Sequence, residues 1–85
     1  MCNLYILLCK DKSLYTGITK NLEERMEIHK IGKGSKYVNS RKPFNLIYTE
    51  SFESWSEALK REMEIKKWSR AQKIARLGLN VEIRK

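Results

Sequence analysis

The segment Leu4-Tyr5-Ile6-Leu7-Leu8-Cys9 is apolar at every position but its tyrosine and runs directly into Lys10-Asp11-Lys12-Ser13. A run that short, without alternation and bounded by turn residues, is the pattern of a strand covered on both faces. Such a strand belongs at the centre of its sheet. A second run, Leu14-Tyr15-Thr16-Gly17-Ile18, comes so soon after it that only an antiparallel hairpin can join the two. With 85 residues, the chain supports one modest core and therefore one domain.

Helix signals come next. Asn21 with Glu24 has capping-box spacing and opens a helix to about Ile31, which Gly32 and Gly34 end. Residues 32–43 are basic and turn-rich, a loop with room for one short helical turn. Phe44 to Phe52 begins after Pro43 and is rich in aromatic and β-branched residues, as a third strand would be. Ser54-Trp55-Ser56-Glu57 reads as a full capping box for a helix to about Trp68, and Ser69-Arg70-Ala71-Gln72 repeats it for a last helix that Gly78 stops. The expected fold is α/β in content and α+β in arrangement: a three-stranded, mainly antiparallel sheet flanked by helices, in the order β-β-α-(basic loop)-β-α-α. The domain is expected over residues 1–78, with a basic tail, 79–85, that frays.

The net charge is +8 and the pI near 9.7, which draws polyanions, nucleic acid above all, although lysine-rich surfaces also serve solubility. The apolar run at 4–9 is far short of a membrane span and has no basic segment before it, so neither a membrane role nor export is expected. Cys2 and Cys9 lack zinc-site spacing and read as reduced thiols in a cytoplasmic protein, with Cys9 as core filler.

Several residues break the core pattern. On the helix after Ser54, Trp55, Ala58, Leu59 and Ile65 share an arc, and Glu62 lies inside it, whereas Glu57 and Glu64 point away. A carboxylate on a core-facing arc needs a cation, so Glu62 is either a rim residue paired with Lys or Arg or a metal ligand. On the first helix, Leu22, Met26 and His29 share a face with Arg25 beside them. There His29 is either a packed, hydrogen-bonded residue or a proton acceptor whose basicity Arg25 lowers, and Arg25 either a surface ion-pair partner or a fork for phosphate. Tyr5 and Tyr15 sit on the hairpin strands. An even loop would place them on opposite faces, an odd loop or a bulge on one.

Taken together, Leu4-Tyr5-Ile6-Leu7, Leu14-Tyr15-Thr16-Gly17-Ile18-Thr19, Leu22-Glu23-Glu24-Arg25 with His29, Gly32-Lys33-Gly34-Ser35-Lys36-Tyr37, and Ala58-Leu59-Lys60-Arg61-Glu62 with Ile65-Lys66-Lys67 resemble the GIY-YIG nuclease superfamily, in particular its small stand-alone members with a URI-type domain. The resemblance implies catalytic roles for Tyr5, Tyr15, Arg25, His29 and Glu62, with Glu62 the metal ligand, and it favours the hairpin that puts both tyrosines on one face. The first motif reads Asn3-Leu4-Tyr5, the second carries Thr16 where the family has Ile, and Asn80 lies in the unassigned tail, so no late catalytic asparagine is matched.

With those roles, the chain is expected to be a metal-dependent endonuclease that hydrolyses phosphodiester bonds with one divalent ion, Mg²⁺ or Mn²⁺, on Glu62. Either Tyr5 or Tyr15 takes the proton of the attacking water, and Arg25 stabilises charge on the phosphate. His29 either accepts that proton in turn or holds a tyrosine. In the basic loop Lys33, Lys36, Arg41 and Lys42 are placed either to grip neighbouring phosphates or, for the lysines, as ordinary solvated surface; Tyr37 is placed to stack on a base, and Gly17 either clears the backbone for substrate or makes a strand-end bulge. DNA is the favoured partner, with RNA open, and the oligomeric state is undetermined. The competing reading is a non-catalytic nucleic-acid-binding module on the same scaffold.

Overall fold

The computed structural model describes residues 1–79 and 81. In chain order come strands β1 (Cys2–Cys9) and β2 (Leu14–Thr19), helices α1 (Leu22–Lys30) and α2 (Lys36–Asn39), strand β3 (Phe44–Phe52), and helices α3 (Trp55–Lys66) and α4 (Arg70–Leu77). The three strands form one antiparallel sheet in the order β2-β1-β3, with the apolar β1 in the middle as its sequence requires. The basic loop contains α2, whose N-cap Ser35 accepts from the Val38 amide.

The β1–β2 turn decides where the tyrosines go. Cys9 N donates to Ser13 O and Lys12 N to Cys9 O, each at 2.9 Å, and Lys12 takes φ 72°. This is a tight turn closed by one left-handed residue, an odd loop of Lys10, Asp11 and Lys12. Tyr5 consequently pairs with Gly17 and Leu7 with Tyr15, so both phenols project from the same face. Along β3 the register shifts between Ile6, opposite Tyr48, and Leu7, opposite Leu46, leaving Ile47 as the extra residue of a bulge.

Alternation along β1 divides the core between the two faces. Leu4 and Ile6 pack with Ile65 of α3, Ile74 of α4 and Leu79. Tyr5 and Leu7 pack with Val38 of α2, with Leu22 and Met26 of α1, and with Tyr15 and Phe44. Each helix is held by a local stop or start signal. Asn21 Oδ1 accepts from Glu24 N at 3.0 Å. Past α1, Gly32 at φ 81° donates to His29 O while Lys33 donates to Ile28 O, the paired bonds of a Schellman ending. Ser69 and Gln72 form the reciprocal capping box expected of them, and Gly78 at φ 62° closes α4. Ser54 forms only half of its expected box: its hydroxyl accepts from Glu57 N and donates to the Glu57 carboxylate, each at 3.2 Å.

The rotation of α3 departs from the sequence expectation. Ala58 and Ile65 are fully buried, but Trp55 and Leu59 are 41% and 40% exposed. One flank of the helix faces β3: the Arg61 guanidinium forks onto Glu50 at 3.1 Å and bonds Glu64 at 2.8 Å. Burial pushes the Glu50 carboxyl up, but Arg61 and the Tyr48 hydroxyl outweigh it and hold the group ionised below its usual range. With Arg61 turned towards β3, the expected apolar arc swings partly out of the core on the other side.

The tail also differs from expectation. Leu79 is 7% exposed and belongs to the α3–α4 core, with Val81 packed against it. Residues 80 and 82–85, including Asn80 and the rest of the expected fraying tail, lie outside the described residues. Leu79→Ala is expected to lower unfolding free energy by about 2 kcal/mol or more in urea titration. A change within about 0.5 kcal/mol, typical of exposed sites, would show Leu79 to be outside the core.

Candidate active site

On the α1–α2 face, four residues singled out from the sequence come together. The Tyr5 hydroxyl lies 2.8 Å from His29 Nε2 and accepts from Arg25 Nε at 3.4 Å. Arg25 Nη2 also donates to Gly34 O at 3.4 Å. The Tyr5 hydroxyl thus lies between Arg25, which can only donate, and the His29 ring, joining the three side chains in one hydrogen-bonded chain. The Tyr15 ring lies 6.3 Å from that of Tyr5 and 5.6 Å from that of His29. Phe44 approaches His29 at 5.9 Å, and Tyr37 of α2 extends the cluster from Tyr15 at 6.0 Å.

Burial separates the two tyrosines. Tyr5 is fully enclosed, and burial raises its phenol pKa despite the opposing Arg25 hydrogen bond. Tyr15 is half-exposed. The hydrogen bond to Tyr5, helped by both phenols' proximity, keeps Arg25 protonated. His29 is 1% exposed, and burial, followed by the Arg25 charge, lowers its pKa. The lowered pKa favours the neutral imidazole. Its Nδ1 is buried without a hydrogen-bond partner among the described residues.

Two glycines make this packing sterically feasible. A Cβ on Gly17 would stand 2.5 Å from the Tyr5 Cζ and Oη, so the space expected to admit substrate is filled by the phenol itself, and the regular Tyr5–Gly17 pairing also excludes a bulge there. A Cβ on Gly34 would stand 2.5 Å from His29 Nδ1. Sequence reasoning treated Gly34 only as a helix stop and missed this contact. The available signal was redundancy: Gly32 alone ends α1, which leaves the second glycine needing another purpose.

The basic residues divide. Arg41 Nε donates to Asp11 at 2.8 Å, Nη1 donates to Tyr37 O at 3.2 Å, and the guanidinium stacks 3.8 Å from the Tyr37 ring centroid. Lys42 Nζ donates to Lys30 O at 2.8 Å. Both brace the loop. Lys33 and Lys36 are less engaged, lying part-way or more in solvent.

Glu62 lies on α3, behind the sheet from the phenols. Its carboxylate is 15% exposed and pairs with Lys66 Nζ at 3.1 Å, the partner foreseen for a rim carboxylate. Among the described residues no hydrogen bond joins it to the tyrosine cluster. Its flank is nonetheless informative, because Arg61 reaches β3 and Glu62 stands roughly 100° further round the helix, away from that strand. The nearby Trp55 ring meets Lys20, just past the end of β2, at 5.8 Å. Glu62 thus stands on the β2 side of α3, while Tyr5 crosses Gly17 of the same edge strand on the other face.

The three-stranded antiparallel sheet carries two tyrosines, an arginine and a histidine gathered over its β1–β2 face. The GIY-YIG catalytic domain matches residues 1–75, and the chain belongs to that family. It is 55% identical over 71 residues to a UPF0213 protein of Staphylococcus haemolyticus, spanning 84% of this chain and 87% of that one. A UPF0213 protein of Syntrophus aciditrophicus is 50% identical over 80 residues, 93% and 92% of the two chains. The solution structure of the UPF0213 protein of Bacillus halodurans is similar at 43% identity and TM-score 0.61, covering 92% of this chain and 84% of that one. That of an E. faecalis protein is similar at 44% identity and TM-score 0.65, covering 89% and 81%.

Two outcomes test this packing. Gly17→Ala is expected to displace the Tyr5 ring and cost about 1–3 kcal/mol, read by urea titration together with the Tyr5 ring signals in NMR spectra; unchanged signals and stability would contradict the close approach. His29 has a second signature. Below its ordinary pKa near 6.5, the unfolded chain takes up a proton that the folded imidazole resists, so the stability it contributes is complete above that value and is lost as pH falls towards the lowered one. Stability measured from about pH 8 down to about pH 5 should fall, and His29→Gln should flatten that fall. An equally steep profile in the variant would assign the dependence to other groups.

Proposed function

We propose that this chain is a metal-dependent endonuclease that hydrolyses phosphodiester bonds in nucleic acid, DNA ahead of RNA. The observation that carries the reading is the chain Arg25–Tyr5–His29 with the half-exposed Tyr15 beside it. Purely structural packing has little use for a cation and a neutral imidazole on either side of one buried hydroxyl.

The division of labour follows from exposure. Tyr15 is the phenol open to solvent, and it takes the proton of the attacking water. Tyr5, enclosed and hydrogen-bonded on both sides, positions Arg25 and His29 in the manner of a strut. Arg25 spends two of its donors on Tyr5 and Gly34, and its remaining N–H groups are available to phosphate oxygens, where negative charge grows as the bond breaks. Lys33 and Lys36 hold flanking phosphates in place.

The donor set suits a weakly held divalent ion. Among the described residues no group of three His, Cys, Asp or Glu side chains could enclose a metal, so Glu62 would be a lone protein ligand, with water and substrate phosphate filling the other positions as Mg²⁺ and Mn²⁺ accept. Lys66 is 51% exposed, so its ammonium can swing into solvent and leave the Glu62 carboxylate to a cation. When bound, the ion supplies charge neutralisation at the scissile phosphate and eases departure of the 3′ oxygen.

Cleavage of labelled single-stranded, duplex, flap and junction substrates with Mn²⁺ tests the proposal. Glu62→Gln should abolish metal-dependent cleavage while keeping binding. Tyr15→Phe should lower kcat by about 10²-fold or more, again with binding intact. If purified Glu62→Gln protein cuts as fast as the parent, the mechanism is wrong. Binding without metal-dependent product from the parent would support the non-catalytic module, a reading that the existing Glu62–Lys66 pair favours.

A further inference from the structure

Helix α3 leaves an apolar stripe in water. Trp55, Leu59 and Met63 are 41%, 40% and 55% exposed, and their spacing of four residues aligns them on one side of the helix. The sheet contact is made by Ala58 and Ile65 instead. Exposed apolar surface clustered in this way on a small domain marks an interaction site.

The surroundings indicate what it meets. Lys20 Nζ sits 5.8 Å from the Trp55 ring centroid, and Lys60, Lys66 and Lys67 are exposed along the same helix and its C-cap. The acids Glu57 and Glu64 lie on the far side, where they bond Ser54 and Arg61. Glu62 falls between Ala58 and Trp55 around the helix, so the stripe continues directly from the carboxylate assigned to the metal. A second copy of this chain, with its own charge of +8, would set lysine rim against lysine rim. A nucleic-acid strand brings phosphates to the lysines and flat base faces to the tryptophan.

We propose that Trp55, Leu59 and Met63 receive unpaired nucleobases of the strand engaged at the site, making strands with single-stranded character, rather than intact duplex, the substrate class. In duplex DNA the base faces are stacked inside and only their edges line the grooves, so the stripe has nothing to stack on. An unpaired base laid on Trp55 keeps its own phosphate near Lys20 and directs the next towards Lys66 and Glu62. The inference rests on the nuclease reading for where the strand runs, but its test requires neither metal nor cleavage.

The full chain carrying Trp68→Phe reports Trp55 fluorescence alone. Titrated in EDTA with a single-stranded DNA of about 12 nucleotides and with the matching blunt duplex, it should be quenched by the single strand and bind it about tenfold more tightly at equal salt. Read by the anisotropy of a dye on the DNA end, Trp55→Ala should weaken single-strand binding about tenfold, Trp55→Phe should retain most of it, and duplex binding should change less than about twofold in both. Trp55→Ala binding the single strand like its parent, or equal quenching by duplex, would overturn the proposal. So would sedimentation as a dimer that Trp55→Ala dissociates, which would assign the stripe to a second copy. Base stacking without cleavage by the parent would refute the nuclease reading alone, whereas cleavage with unimpaired single-strand binding by Trp55→Ala would refute this inference alone.

Discussion

The Tyr5 hydroxyl is the point through which the rest of the site is organised. It is buried in the middle of the central strand, and a buried phenol needs partners for both its lone pairs and its proton. Arg25 and His29, one turn apart on α1, meet that need from the same side. To reach them the ring must lie across β2, so the residue beneath it has to be Gly17. The imidazole that meets Tyr5 is in turn pressed against Gly34, whose carbonyl accepts from Arg25. One polar group thus ties together β1, β2, α1 and the start of the basic loop.

This arrangement costs stability. A neutral, almost fully buried imidazole with an unpartnered Nδ1, next to a guanidinium, is a worse structural solution than an apolar side chain of similar size. The opposite face of the sheet shows what a purely structural polar cluster looks like here. Glu50, Arg61, Tyr48 and Glu64 satisfy one another directly, and Arg61 and Arg76 flank the Trp68 ring at 5.4 and 4.9 Å. That cluster also turns α3, placing Glu62 on the β2 flank and leaving Trp55 and Leu59 in solvent. Stability on one side of the helix and exposure on the other are two results of a single rotation.

The edge strand β2 therefore borders both halves of the proposed chemistry. In front of it stand the phenols, Arg25 and His29; behind it, on its side of α3, stand Glu62 and the apolar stripe. Tyr37, stacked by Arg41 and adjacent to Tyr15, extends the front half into the loop. The loop residues that read as phosphate grips from composition divide according to their partners, with Arg41 and Lys42 bracing the loop and Lys33 and Lys36 reaching solvent.

The order of strands and helices, the central place of β1, the ends of β3 and the caps at Asn21, Ser69 and Gly78 were legible along the chain, because each depends on residues within about a turn of one another or on an uninterrupted apolar run. The candidate site residues stood out for a related reason, since a histidine and a glutamate on otherwise apolar arcs announce themselves locally. Other features were decided only by packing across the sheet. The face shared by Tyr5 and Tyr15 depended on the parity of the turn at Lys10–Lys12, and the use of Gly17 and Gly34 on side chains more than four residues away. The outward turn of Trp55 and the burial of Leu79 followed from how α3 and α4 settle against β1 and β3. Helical periodicity names an arc that can be buried, but the volume available between helix and sheet selects which part of that arc is covered.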